Sequence, residues 1–299
     1  MDVSLFLQQV VNGMSLGGMY ALIAIGYTMV YGVLRLINFA HADVMMVGAF
    51  ATLFLFSSVG VPFWLAIFLT LFLCGLFGML IDRIAYRPLR QASKISILIT
   101  AIGVSFFLEN TFNVLFGGST RYFEAPAFFN ETRDIAGIVI TNVALIMPII
   151  TVLLLLALLW LLYRTRYGIA IRAVAFDVNT VRLMGVDANR IISLVFALGS
   201  SLAALGGVFY AISYPTIDPL MGVLIGLKAF AAAVLGGIGS VTGAVLGGFI
   251  LGFTEVVAVA LFPELGGYKD AFAFLFLILV LLFRPVGIMG DERLERSRF

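Results

Sequence analysis

Four long stretches of the chain, Val3 to Leu34, Val44 to Ile81, Ile135 to Tyr163 and Ile191 to Ile217, contain no Asp, Glu, Lys, Arg or His. A helix crossing the hydrocarbon of a bilayer needs roughly 20 apolar residues, so each stretch has room for at least one crossing. The chain therefore reads as an all-α polytopic membrane protein, and whatever it does must be argued as membrane function. Hydrophobic residues make up 62% and charged residues 11% of the 299, against roughly a quarter charged in a soluble domain. That leaves no room for a sizeable water-soluble part, and one membrane domain over 1–299 is the simplest reading. A formal net charge of +2 is too small to imply nucleic acid as a partner. Cys74 is the single cysteine and lies inside an apolar run, so neither a disulfide nor a thiolate metal site is available. No basic residue precedes Arg35, Asp2 is acidic, and no small-residue cleavage site stands out. The first helix is expected to stay rather than be removed as a signal peptide.

Basic residues cluster in three places: Arg83, Arg87, Arg90 and Lys94; Arg164, Arg166, Arg172, Arg182 and Arg190; and Arg284, Arg293, Arg296 and Arg298. The positive-inside rule puts these segments in the cytoplasm. The acidic stretch with Glu124, Glu131 and Asp134, and the breaks at Asp218 and Glu264, then read as external. Threading between these anchors predicts helices near 5–34, 42–57, 62–82, 95–116, 140–163, 190–213, 222–237, 242–261 and 269–283. An odd count puts the N-terminus outside and the C-terminus in the cytoplasm; eight full crossings would bring the N-terminus inside. The polar patch from Asn38 to Asp43 and the glycine-rich turn from Gly236 to Gly243 carry too few charges for aqueous loops. Broken or re-entrant helices are expected there, which membranes tolerate where protein or a water-filled path surrounds them.

Polar groups at membrane depth are costly and so are candidates for function. Here they are Asn38, His41 and Asp43 at the first break, Glu109 and Asn110, Lys228, and Glu255. For Glu109, Lys228 and Glu255 the competing reading is an interhelical ion pair that fixes register and touches no solute. Asp43 could equally cap a helix start. Small residues four apart, as at Gly13 and Gly17, at Gly239, Gly243 and Gly247, and at Gly248 and Gly252, let helices approach closely. The same glycines miss the spacing of a dinucleotide loop, and no Lys-Ser or Lys-Thr follows them.

The segment 164–190 is the longest internal loop, and it contains a short helical signature at 177–185. Asp177 can cap the start, Val178, Val181 and Met184 are spaced to share a face, and Gly185 can end it in a left-handed conformation. With Arg172, Arg182 and Arg190 flanking it, such a helix suits docking into the groove of a cytosolic partner. The alternative is a helix lying on lipid head groups.

Tyr20-Ala-Leu-Ile-Ala-Ile-Gly-Tyr-Thr-Met-Val-Tyr-Gly32 followed by Ile37-Asn-Phe-Ala-His-Ala-Asp43 resembles the first two helices of bacterial branched-chain amino acid ABC transporter permeases. Asp82-Arg-Ile-Ala-Tyr-Arg-Pro-Leu-Arg90, Gly185-Val-Asp187, Lys228-Ala-Phe-Ala-Ala-Ala-Val-Leu-Gly-Gly-Ile-Gly-Ser240, Gly243-Ala-Val-Leu-Gly-Gly248 and Arg284-Pro-Val-Gly-Ile-Met-Gly290 extend the resemblance along the whole chain. It resembles the shorter of the two permeases of such a system. The resemblance implies an importer for leucine, isoleucine and valine in the bacterial inner membrane. This chain would pair with a second permease, two ATPase subunits that bind ATP and Mg, and an external binding protein. It implies that Asp177, Val178, Val181, Arg182, Met184 and Gly185 form the coupling helix seated in an ATPase. The chain itself would be no enzyme and would carry no cofactor or metal. Relatives commonly have Gly and often Glu after the motif histidine, where this chain has Ala42 and Asp43. Urea permeases share much of the pattern and are the nearest competing substrate class. An ion-driven secondary transporter using Glu109, Lys228 or Glu255 as a relay is the competitor from another class.

Overall fold

A computed structural model describes residues 3–135 and 138–290; Arg293, Arg296 and Arg298 of the third basic cluster lie outside them. The expected nine helices all form, with ends within a few residues of those read from the sequence. They are α1 (Val3–Leu34), α2 (His41–Leu53), α3 (Phe63–Ile81), α4 (Lys94–Phe116), α6 (Asn142–Arg164), α9 (Ala188–Ser213), α10 (Met221–Gly236), α11 (Val241–Leu261) and α12 (Lys269–Phe283). Eight described helices are long and apolar enough to cross a membrane, and α10, with 16 residues, is the shorter ninth. Between them lie α5 (Ala127–Asn130), α7 (Arg166–Phe176) and α8 (Val178–Leu183), outside the spans. π-helical turns extend α2 at Phe54–Ser58 and α3 at Asp82–Tyr86.

The helices alternate in direction, and hydrogen bonds identify the two ends. Gln8, in the second turn of α1, donates to the Val139 carbonyl at 2.8 Å and accepts from its N–H at 2.9 Å. Val139 lies on β3 (Ile138–Thr141), which pairs antiparallel with β2 (Thr132–Ile135). β1 (Arg121–Tyr122) pairs with β4 (Thr216–Ile217), so the acidic stretch and the Asp218 break, two of the connections read as external, meet at this end. At the other end, Ile288 and Met289 donate backbone bonds to the carbonyls of Leu235 and Gly236, which joins the segment after α12 to the end of α10. The last turn of α1 lies there too, beside Gly239. α1 therefore starts at the acidic end and finishes at the arginine-rich end. By the positive-inside rule its N-terminus is external.

α1 runs through the middle of the bundle, against α6, α9, α10 and α11, and is nearly all buried. Helices in lipid gain no hydrophobic drive from packing on one another, so close contact has to come from small residues. At the α1–α11 crossing a Cβ on Gly252 would stand 2.3 Å from the Gly17 nitrogen, and one on Gly248 would stand 2.6 Å from the Ala21 Cα. Gly236, Gly243 and Gly247 do the same between α10 and α11. Gly239 is different: nothing lies within 4 Å of its added Cβ, and its φ of +99° serves the turn between these helices. Gly252→Val is expected to push α1 off α11 and cost at least the roughly 1–3 kcal/mol typical of overpacking. Gly103→Ala, in α4 with open space around it, should be neutral or stabilising. Thermal unfolding of the two purified variants in detergent checks the contrast.

Candidate functional site

The first break does what its polarity implied. α1 ends at Leu34, and Arg35 takes a left-handed φ of 53°. The chain then turns back into the bundle, so that α2 begins at His41 deep inside it. The imidazole sits against Gly26 of α1, where an added Cβ would lie 2.2 Å from Nε2, and beside Gly199 of α9, where an added Cβ would make ordinary contact at 3.6 Å from Cε1. Tyr27 meets the same ring edge-on with centroids 4.7 Å apart. Asn38 is buried and accepts a 2.6 Å hydrogen bond from the Tyr86 hydroxyl.

Asp43, in the first turn of α2, is buried with one oxygen lacking a hydrogen-bond partner. That oxygen faces α10, where a Cβ on Gly222 would approach it to 3.0 Å. The N-termini of α2 and α10 thus abut, and Gly226 leaves the room that the Ala42 methyl fills. Ser105 of α4 donates to Asp43 Oδ2 at 2.5 Å and lies 3.4 Å from Glu109 Oε1. Two carboxyl groups therefore flank one hydroxyl, and among the described residues neither forms an ion pair. Two carboxyl groups crowded at one buried site disfavour each other's charged form, and an amide keeps the shape and a hydrogen-bond partner for Ser105, so Glu109→Gln is expected to leave stability unchanged or raise it. Thermal unfolding in detergent reads the sign. Asn110 lies elsewhere, on the exposed face of α4, with its amide bonded to the Phe106 carbonyl at 2.7 Å.

A second cluster joins α1, α10, α11 and α12. Lys228 is paired with Glu255 at 2.8 Å and also with Asp270. Tyr20 donates to the other Glu255 oxygen at 2.9 Å. Each of these four residues comes from a different helix, and Lys228 and Glu255 are buried.

At the arginine-rich end, α8 forms where the signature placed it. The Asp177 carboxylate accepts from the backbone N–H groups of Asn179 and Thr180 and from the Thr180 hydroxyl. These bonds, the Thr180 hydroxyl foremost, hold its pKa below the usual carboxylate value, so the charged cap is in place at neutral pH and is lost only on acidification. Gly185 closes the helix at φ +81°. The expected apolar face forms only in part. Val178 and Val181 pack on the bundle's own apolar cluster, with Val181 5% exposed, whereas Leu183 and Met184 are 89% and 76% exposed. α8 ends at Leu183, so Met184 leaves the helical face its spacing implied.

Residues 9–281 match the family described as the branched-chain amino acid transport system permease component. The chain belongs to this family. It is 42% identical to the high-affinity branched-chain amino acid transport system permease protein BraD of Pseudomonas aeruginosa, over 97% of this chain and 98% of the relative. It is 40% identical to LivH of Escherichia coli, a permease protein of the same description, over 97% of both chains. A probable branched-chain amino acid transport permease of Methanocaldococcus jannaschii is 27% identical over 91% of this chain and 88% of its own.

In this permease the intramembrane polar residues divide into separate groups rather than one path. Asn38, His41, Asp43 and Glu109 surround the α2–α10 junction, Lys228 and Glu255 form the ion cluster, and Asn110 faces outward. Glu109 takes no part in the Lys228 pairing. Asp270, Tyr20 and Ser105 join these groups without having been singled out, because Asp270 and Tyr20 reach them only through helix packing. Asp82 and Arg90, which the sequence offers only as motif residues and, for Arg90, as a cytoplasmic anchor, form a further contact at helical spacing with Tyr86. Buried Asp82 accepts from Arg90 at 2.5 Å and from Ser193 of α9 at 2.6 Å. No group of three or more His, Cys, Asp or Glu among the described residues could hold a metal ion.

Proposed function

We propose that this permease is a membrane subunit of an ATP-driven importer that carries leucine, isoleucine and valine across the bacterial inner membrane. Its whole length serves as one membrane domain. It pairs with a second, related permease; two cytosolic subunits bind ATP and Mg and hydrolyse the nucleotide; an external binding protein delivers the solute. α8 is the coupling helix. The observation that carries this reading is the capped α8 at the arginine-rich end, with Leu183 and Met184 presented to solvent. An apolar side chain exposed at that level gains by entering a partner's groove. The names of the full-length relatives support the substrate class. ATP-driven closure of the hydrolysing subunits would then shift the permease pair between inward and outward states.

At the α2–α10 junction, two helix N-termini offer N–H groups and Asp43 and Glu109 offer carboxyl oxygens, the opposite poles that a zwitterionic amino acid presents. Asn38 and His41 border this junction, which is closed in the present conformation and opens to the solute only when the helices part. Lys228 and Glu255 hold the bundle together instead. Affinity purification from native membranes in mild detergent tests the assembly: ATPase subunits and a second permease should be retained. A lone homo-oligomer would overturn the reading in favour of an ion-driven transporter. Uptake of labelled leucine by the intact system, uncompeted by urea, tests the substrate.

A further inference from the structure

A cavity of about 590 Å³ opens at the arginine-rich end, between the last turns of α1 and α6, one face of α7, and the α10–α11 turn. None of the intramembrane polar residues discussed above lines it. Pockets of roughly 300–1,000 Å³ bury ligands larger than an amino acid. Among the described residues its charge is one-sided: Arg35 and Arg172 line it, and no Asp or Glu does. Neither guanidinium forms an ion pair among the described residues. Arg172 instead lies over the Tyr163 ring, 4.9 Å from its centroid. Deeper in the wall, Thr28 is 1% exposed, and its hydroxyl has no hydrogen-bond partner. Most of the remaining wall is apolar, from Met29 and Val33 to Ile171 and Val286.

We infer that this cavity holds the head group and upper acyl chains of an acidic phospholipid of the cytoplasmic leaflet. The level is right, because Trp160, Tyr163 and Tyr167 stand exposed beside it, where aromatic side chains mark the membrane interface. The charge is right, because basic pockets between membrane helices on the cytoplasmic side suit anionic head groups. A free zwitterionic amino acid would bring an ammonium that no carboxylate among the described residues of the wall receives. Arg35 adds to the case: a left-handed residue ending a helix is ordinarily glycine, and arginine there accepts strain while adding a cation to the rim. α7 supplies Ile171, Arg172, Ala175 and Phe176 to the wall and runs directly into Asp177, the cap of α8. A bound lipid therefore steadies α7 and the position from which α8 projects.

The test uses the assembled transporter in nanodiscs of phosphatidylcholine with or without phosphatidylglycerol. Native mass spectrometry after mild delipidation should find phosphatidylglycerol retained by the wild type. Arg35→Gln with Arg172→Gln should lower that retention roughly thirtyfold, since each basic residue near an anionic surface contributes about a factor of five. ATP hydrolysis should become less tightly coupled to uptake in the same variant and in the wild type without phosphatidylglycerol. Gly32→Leu fills the cavity without changing charge, its added Cβ meeting only ordinary contacts at 3.9 Å and beyond, and should also displace the lipid. Equal lipid retention by wild type and both variants would overturn the assignment. Displacement of the lipid by millimolar inorganic phosphate or leucine would overturn it too, by showing a site for a small free ligand.

Discussion

Replacing Lys228 with alanine should stop the permease from accumulating as a folded protein. The ammonium is the common partner of Glu255 and Asp270, and the Tyr20 hydroxyl completes the cluster. Without it two carboxylates remain, one of them fully enclosed at Glu255. Breaking a buried pair by removing one partner costs about 3–5 kcal/mol, a large part of the roughly 5–15 kcal/mol that holds a typical protein folded. The cost falls on four helices at once, because α1, α10, α11 and α12 each contribute one member. The amount of permease in the membrane and its thermal unfolding in detergent are the measurements. Lys228→Met combined with Glu255→Gln should recover part of the loss, since an uncharged pair needs no cation. Normal accumulation of Lys228→Ala with altered solute preference would instead put Lys228 on the solute path.

Leu183→Asp together with Met184→Asp should reduce uptake to background while the permease still accumulates and pairs normally. Both side chains are almost fully exposed, and exposed substitutions usually change stability by no more than about 0.5 kcal/mol. Docked in an apolar groove, each would count among the few residues that carry an interface, costing about 2 kcal/mol or more on truncation. A buried carboxylate in their place costs further. ATPase subunits should be missing from the purified variant, and uptake measured in cells should fall with them. Full uptake would remove α8 from the coupling role. Val181→Asp is a different experiment: Val181 is buried inside the permease, so that variant would unseat α8 and report on folding before docking.

How much of this was legible beforehand follows from which forces act locally. The nine helices could be placed because long, mostly apolar runs leave few alternatives in lipid. α8 could be placed because Asp177 and Gly185 satisfy a helix end within a few residues of themselves. The glycines of the α1–α11 crossing were legible as packing residues because spacing alone puts them on one face. Its partner face, with Gly17 against Gly252, was not.

By itself the sequence determined the membrane class, the order and ends of the spans, the side on which the arginines lie, and the presence of a capped helix in the longest internal loop. All of these depend on solvation of the chain and on contacts within a turn or two. Only the tertiary structure decided which buried charges meet: Lys228 takes Glu255 and Asp270, while Glu109 is left beside Asp43 and Ser105. It also turned Val181 inward, left Leu183 and Met184 outside, and opened the basic cavity against α7. Those outcomes depend on how helices far apart in sequence rotate and cross, and a one-dimensional pattern of polarity does not specify rotation.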